Sequence, residues 1–82
     1  MQIDVKLFGP AAQRAGKREV RVTVAADRPT CAQVRAALAR AEPRLADVVS
    51  AARLAVNHEF AGDADPVSPG DEVALIAMVS GG

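Results

Sequence analysis

The chain has one cysteine, one histidine, two phenylalanines and no tryptophan or tyrosine among its 82 residues. A lone cysteine closes no internal disulfide, and Cys31 with His58 cannot make up a zinc cluster, so packing alone has to hold the fold. There is no surplus of charge either: ten Lys and Arg balance ten Asp and Glu, with no run of five like charges. That argues against nucleic acid or an anionic membrane surface as the main partner, because both draw affinity from excess basic charge. The longest apolar run, Val73 to Val79, is seven residues, against the roughly 18 that a membrane helix requires. Charges at Asp4 and Lys6 fall where a signal peptide needs unbroken apolar residues, so no export is expected and the chain reads as cytoplasmic. Phosphate-binding glycine loops, paired metal ligands and nucleophile motifs are absent, so no metal and no bound cofactor are expected. What remains is the composition of one small globular domain, 50% hydrophobic and 24% charged, with a light core of Ala and Val.

Gln2 to Phe8 alternates, with Ile3, Val5 and Leu7 on one face, which is the period of a half-buried strand; Phe8 breaks the polar face. Gly9-Pro10 opens and Gly16 closes an Ala-rich segment of one or two helical turns. Glu19 to Val24 alternates again and is expected to pair antiparallel with the first strand. Thr30 and Gln33 stand at capping-box spacing and start the main helix. Its apolar stripe is Cys31, Val34, Leu38 and Ala41, with Arg35 and Arg40 facing outward. Pro43 stops it, and Leu45, Val48 and Val49 suggest a brief second helical piece. Leu54-Ala55-Val56 is a third strand, ended by Asn57-His58-Glu59. Asp63 to Gly70 reads as turns with room for one short strand, and Glu72 to Val79 is the closing strand. The order describes an α+β fold, a mixed sheet of four to five strands with one main helix packed on one face.

Few residues carry chemistry. Cys31 lies near a helix start, where a low-pKa thiolate is possible, yet it sits on the apolar stripe as a small hydrophobe would. His58 reads as a solvated loop residue. Arg14, Lys17 and Arg18 are either solvated charges or a contact for an acidic partner. On the closing strand Val73, Leu75, Ala77 and Val79 point one way, but Ile76 and Met78 point the other. With Phe8 these two form either an exposed apolar partner surface or the second face of a central strand that is apolar on both sides.

The most informative residues are the last. Without Cβ atoms, Gly81 and Gly82 give a thin thread that can lie in a narrow channel against another protein's backbone. A carboxylate at Gly82 is expected to be sterically open. It can attack the α-phosphate of ATP in an activating enzyme, and a sulfur or amine nucleophile can then take the acyl group. The alternative is a frayed end with no role.

Four segments carry a resemblance over essentially the whole chain: Leu7-Phe8 with the short segment to Gly16, Pro29-Thr30 opening the helix, Leu54-Ala55-Val56-Asn57, and Pro69-Gly70-Asp71-Glu72-Val73-Ala74 leading into Val79-Ser80-Gly81-Gly82. The sequence resembles the MoaD-type sulfur carriers, small subunits of molybdopterin synthase with a ubiquitin-like β-grasp fold. Members commonly have Pro-Pro where this chain has Ala77-Met78, and prolines there would stiffen the approach to the tail. The resemblance implies a β-grasp domain over 1–79 and a flexible tail over 80–82. It also implies a non-catalytic, sulfur-donating subunit, with the active site on the large subunit in a complex of two small and two large chains. An ATP-dependent adenylating enzyme would activate the Gly82 carboxylate, and a sulfur donor enzyme would convert it to a thiocarboxylate. The sulfur would then go to a cyclic pterin phosphate precursor, two deliveries forming the dithiolene that holds molybdenum. Val79, Ser80 and Gly81 would form the inserted tail, with Phe8, Ile76 and Met78 as the docking face. A carrier for thiamine thiazole synthesis, a ubiquitin-like protein modifier and a purely structural interaction module are the alternatives.

Overall fold

Ile3, Val5 and Leu7 are buried along β1 (Gln2–Leu7), as its alternation requires. The computed structural model describes residues 1–77. Strand β2 (Glu19–Thr23) pairs antiparallel with β1 after the helix α1 (Gly9–Ala15), which carries Pro10 in its first turn. Gly16 closes α1 in the left-handed region at φ 71°, donating its N–H to the Ala12 carbonyl, a conformation that glycine takes without a Cβ penalty.

Helix α2 (Cys31–Ala41) begins with the expected capping box: Gln33 N–H donates to Thr30 Oγ1 at 3.3 Å and Thr30 N–H to Gln33 Oε1 at 2.9 Å. The two remaining N–H groups of that turn are taken from further along the chain, Cys31 donating to the Asp65 carbonyl and Ala32 to the Asp63 carbonyl. Val67 N–H in turn donates to the Pro29 carbonyl, and Val67 and Pro29 are buried together with the core. The turn-rich segment is therefore tied to the start of α2, and it contains an isolated bridge from Thr30 to Pro66 in place of a strand.

Pro43–Leu45 forms a 3-10 turn, followed by α3 (Ala46–Ala51) and β3 (Ala52–Val56). Asn57 and His58 then both take positive φ, 53° and 70°, the signature of a two-residue hairpin turn whose twist suits the flanking strands. Glu59 thus opens a strand that the sequence reading missed, β4 (Glu59–Ala61), which precedes the turn-rich segment. The last described strand is β5 (Val73–Ala77).

The sheet order is β2-β1-β5-β3-β4, with β1 and β5 parallel and every other pair antiparallel. The helices share one face, and between them and the sheet lie Val5, Leu38, Leu45, Leu54, Val73 and Leu75, each at most 1% exposed. Enclosing such a side chain is worth roughly 1.5–3 kcal/mol.

Two expectations for α2 need correction. Ala41 is exposed, and Leu45 completes the stripe in its place because Pro43 turns the chain back over the core. Arg35 is not simply solvated. Its guanidinium donates to Asp63 Oδ1 at 2.7 Å and to the Val49 carbonyl at 2.8 Å, tying α2 to the turn-rich segment and to α3. Arg40 is exposed as expected.

Candidate functional site

The pleat that buries Val5, Leu75 and Leu54 turns their neighbours to the helix-free face. On the β2–β1 side this face is charged. Arg21 clasps Asp4 with Nε 2.7 Å and Nη2 3.3 Å from the two carboxylate oxygens, and the hydrogen bonds from Arg21 hold the Asp4 carboxyl below its ordinary range. Beyond β5 the face becomes apolar. Register sets Ala74 beside Lys6 on one side and Ala55 on the other, with Phe60 across from Ala55. One step along, Ile76 stands opposite Arg53. Phe8 keeps extended backbone, φ −134° and ψ 158°, so it continues the alternation of β1 onto this same face, one residue past the Leu7–Leu75 pair.

Phe8 and Phe60, the only aromatics in the chain, are 55% and 54% exposed. Ile76 is half-buried. The Arg53 guanidinium sits 5.0 Å from the centre of the Phe60 ring, so the strip has a cation stacked at its margin. Phe60 was not singled out from the sequence. The signal that finds it is the Asn57-His58 turn, which restarts a strand and brings Phe60 across from Ala55.

The strip lies next to the end of β5. Because β1 and β5 run parallel, Ala77, paired with Ala52, stands at the end of the sheet where Phe8 follows β1. Met78, Val79, Ser80, Gly81 and Gly82, the rest of the expected docking face and tail, lie outside the described residues.

The other candidates are placed elsewhere. Cys31 is 1% exposed, and burial pushes its thiol pKa up, with Asp65 and Asp63 adding to the shift and Arg35 opposing it; a thiolate is disfavoured there. His58 is exposed at the β3–β4 turn with Nε2 3.2 Å from Glu72 Oε2, while Lys6 Nζ lies 3.2 Å from Glu72 Oε1. Beside it Asn57 and Asp71 form a polar knot. Asn57 donates from Nδ2 to Asp71 Oδ1 at 3.0 Å, and Glu72 N–H donates to Asn57 Oδ1 at 3.0 Å. The Ser68 N–H and Asn57 lower the Asp71 pKa. Lys17 pairs with Glu42 at 2.8 Å and lowers the Glu42 pKa. Among the described residues no three His, Cys, Asp or Glu side chains converge as a metal site, and no helix is long and apolar enough to cross a membrane.

This geometry has known counterparts. The sequence model of the ThiS family matches residues 5–82, while no curated protein matches. SAMP1 from Haloferax volcanii, a small archaeal modifier protein, is 33% identical over 100% of both chains, with a TM-score of 0.83. A putative molybdopterin converting factor, subunit 1, from Pyrococcus furiosus is similar at 17% identity and TM-score 0.78, over 95% of this chain and 98% of that one. A complex of subunits 1 and 2 of Molybdopterin-converting factor from Helicobacter pylori contains a chain similar at 20% identity and TM-score 0.67, over 100% of both chains. At those two identities the likeness is one of fold. The five-stranded mixed sheet, its covering helices and the match over nearly the whole sequence place this chain in the ThiS family, as a ubiquitin-like sulfur carrier or modifier of the ThiS and MoaD type.

Proposed function

We propose that the chain is the sulfur carrier of molybdenum cofactor biosynthesis, the small subunit of a molybdopterin synthase. The observation that carries this reading is the grouping of Phe8, Ile76 and Phe60 on one sheet face, beside the end of β5 from which the sequence runs on to Val79-Ser80-Gly81-Gly82. An apolar strip with a single stacked arginine suits a partner bound by desolvation, and it fits a chain of zero net charge that has no strong steering field. The Helicobacter pylori complex of subunits 1 and 2 supports a large subunit as that partner.

In the proposed cycle an ATP-dependent adenylating enzyme joins a Gly82 carboxylate oxygen to the α-phosphate of ATP, and pyrophosphate leaves. A sulfide equivalent from a sulfur donor enzyme displaces AMP and leaves a thiocarboxylate. The tail enters the large subunit, whose side chains do the catalysis, and the sulfur passes to the cyclic pterin phosphate precursor. Two deliveries build the dithiolene, and each returns Gly82 as a carboxylate. Met78 would extend the docking face beside Ile76. The chain itself binds no cofactor in this scheme, ATP being used by the adenylating enzyme.

A second reading is favoured by the 33% identity to SAMP1. The same adenylate can be taken by a target amine, which makes the chain a protein modifier. One experiment separates the two. The protein is incubated with ATP, the adenylating enzyme and a sulfur source, and its intact mass and C-terminal peptide are determined. It is then given to the large subunit with the pterin precursor. Sulfur at Gly82 followed by dithiolene formation is the expected result. Sulfur that the synthase refuses and a thiazole synthase accepts would move the chain to the thiamine pathway. An unmodified carboxylate with ladders of conjugates in the native host would establish the modifier.

A further inference from the structure

The two edges of the sheet differ. β4 is three residues long, whereas β2 at the other edge is five residues of regular strand without glycine or proline. Leu7 N–H donates to the Arg18 carbonyl at 2.8 Å and Val24 N–H to the Met1 carbonyl at 2.9 Å. Antiparallel ladders use every second residue, so Val20 and Val22 also bond to β1, and Glu19, Arg21 and Thr23 turn their N–H and C=O groups outward. Among the described residues nothing bonds to those outward groups. The Glu19 and Arg21 side chains project onto the helix-free face and leave the edge itself unobstructed.

On the other face a groove runs between α2 and β2, lined by Val24, Ala37, Gln33, Arg40 and Ala41 among others. Arg21 turns its side chain to Asp4 on the helix-free face, so the charged side chain of the groove is Arg40, exposed and in no ion pair among the described residues. No carboxylate lines it.

We propose that the β2 edge and this groove bind an extended segment of another protein as a sixth strand. Its backbone pairs with Glu19, Arg21 and Thr23, alternate apolar side chains enter the groove over Val24 and Ala37, and an aspartate or glutamate on the same side meets Arg40. A second copy of the chain is the poorer occupant, since it would bring its own Arg40 and acid-free groove against this one. The site lies on the opposite edge from Phe60 and on the opposite face from the apolar strip, so both surfaces can be occupied at once. It does not depend on the sulfur-carrier reading.

The test uses the isotope-labelled full chain and a capped synthetic peptide, Asp-Thr-Val-Thr-Val-Thr-Asp, whose aspartates and valines share one side of a strand, with a control in which both aspartates are lysine. The expected result is amide shifts at β2 and at Gln33, Ala37 and Arg40, with hydrogen exchange at Glu19, Arg21 and Thr23 slowed at least tenfold. The lysine peptide should bind at least tenfold more weakly. Arg40→Glu should reverse that preference. Thr23→Pro, which removes one outward N–H from an edge strand that tolerates proline, should abolish binding; should that variant not fold, the Arg40→Glu reversal decides. Absence of shifts at millimolar peptide, shifts at Phe8, Ile76 and Phe60 instead, or exchange protection that rises with protein concentration alone would each overturn the proposal.

Discussion

Replacing Phe60 with alanine separates docking from folding. Phe60 keeps 54% of its surface open. A fully enclosed phenylalanine buries on the order of 200 Å², so about 110 Å² is left for a partner to cover, worth ~2.7 kcal/mol at about 25 cal/mol per Å². Alanine retains part of that area, which puts the loss near ~2 kcal/mol, or roughly 30-fold in Kd. The free domain loses up to a similar amount: the remaining area, about 90 Å², is already covered on folding, worth ~2 kcal/mol at most once the area alanine keeps is allowed for. Phe60 lies on the three-residue edge strand β4 and its distinctive contact is the Arg53 guanidinium, an exposed cation–π pair worth about 0.5–1 kcal/mol. For a domain of this size a total loss of roughly 1–2 kcal/mol lowers Tm by about 4–16 °C. Calorimetric titration of the variant into the large subunit, with thermal unfolding of the free chain, gives both numbers. Leu38→Ala supplies the contrast, because a fully buried leucine costs about 2–5 kcal/mol on truncation. Unchanged affinity for Phe60→Ala, or melting as low as that of Leu38→Ala, would refute the assignment of Phe60 to a docking strip.

Three further outcomes are expected. Arg35→Met keeps the aliphatic stem but strands the part-buried Val49 carbonyl, while the exposed Asp63 is taken up by water; a loss of about 0.5–1.5 kcal/mol should appear as a lower urea midpoint, and an unchanged midpoint would show that the clamp adds nothing. Asp4, Glu42 and Asp71 all have folded-state pKa values below their unfolded ones. Their contribution is therefore complete above the unfolded values of roughly 4 and is lost as pH falls through the folded values. Urea midpoints should be level from about pH 7 to 5 and fall below roughly pH 4, less steeply in Asp71→Asn. His58→Gly relieves a left-handed residue at φ 70°, a gain of about 1–2 kcal/mol partly offset by the freer unfolded chain; Tm should rise by a few degrees, and a fall would mean that the contact with Glu72 outweighs the strain.

The parts of the fold that the sequence made legible are those whose cause is local. The alternation of Ile3, Val5 and Leu7 and the Thr30–Gln33 box each act within a few residues, so β1 and the start of α2 stand where the pattern puts them. β4 was hidden because three residues are too few to show a period, and because its turn is made by Asn57-His58 where glycine would have announced it. The role of Arg35 was hidden for another reason: its partners Asp63 and Val49 lie 28 and 14 residues away in sequence. Phe60 could be joined to Phe8 and Ile76 only through strand order and register, which no window of the sequence contains. The proposed glycine tail rests on residue type alone, Gly81 and Gly82 lying outside the described residues.

The position of β5 also has a mechanical consequence. It is the last described strand and lies at the centre of the sheet, bonded to β1 on one side and β3 on the other. Traction applied beyond Ala77 acts along the strand, so both ladders are loaded in shear and their bonds must fail together. An edge strand pulled the same way would load one ladder only. A machine that gripped the far end of the molecule would thus meet its stiffest direction, and force applied beyond Ala77 is transmitted to the domain as a rigid body.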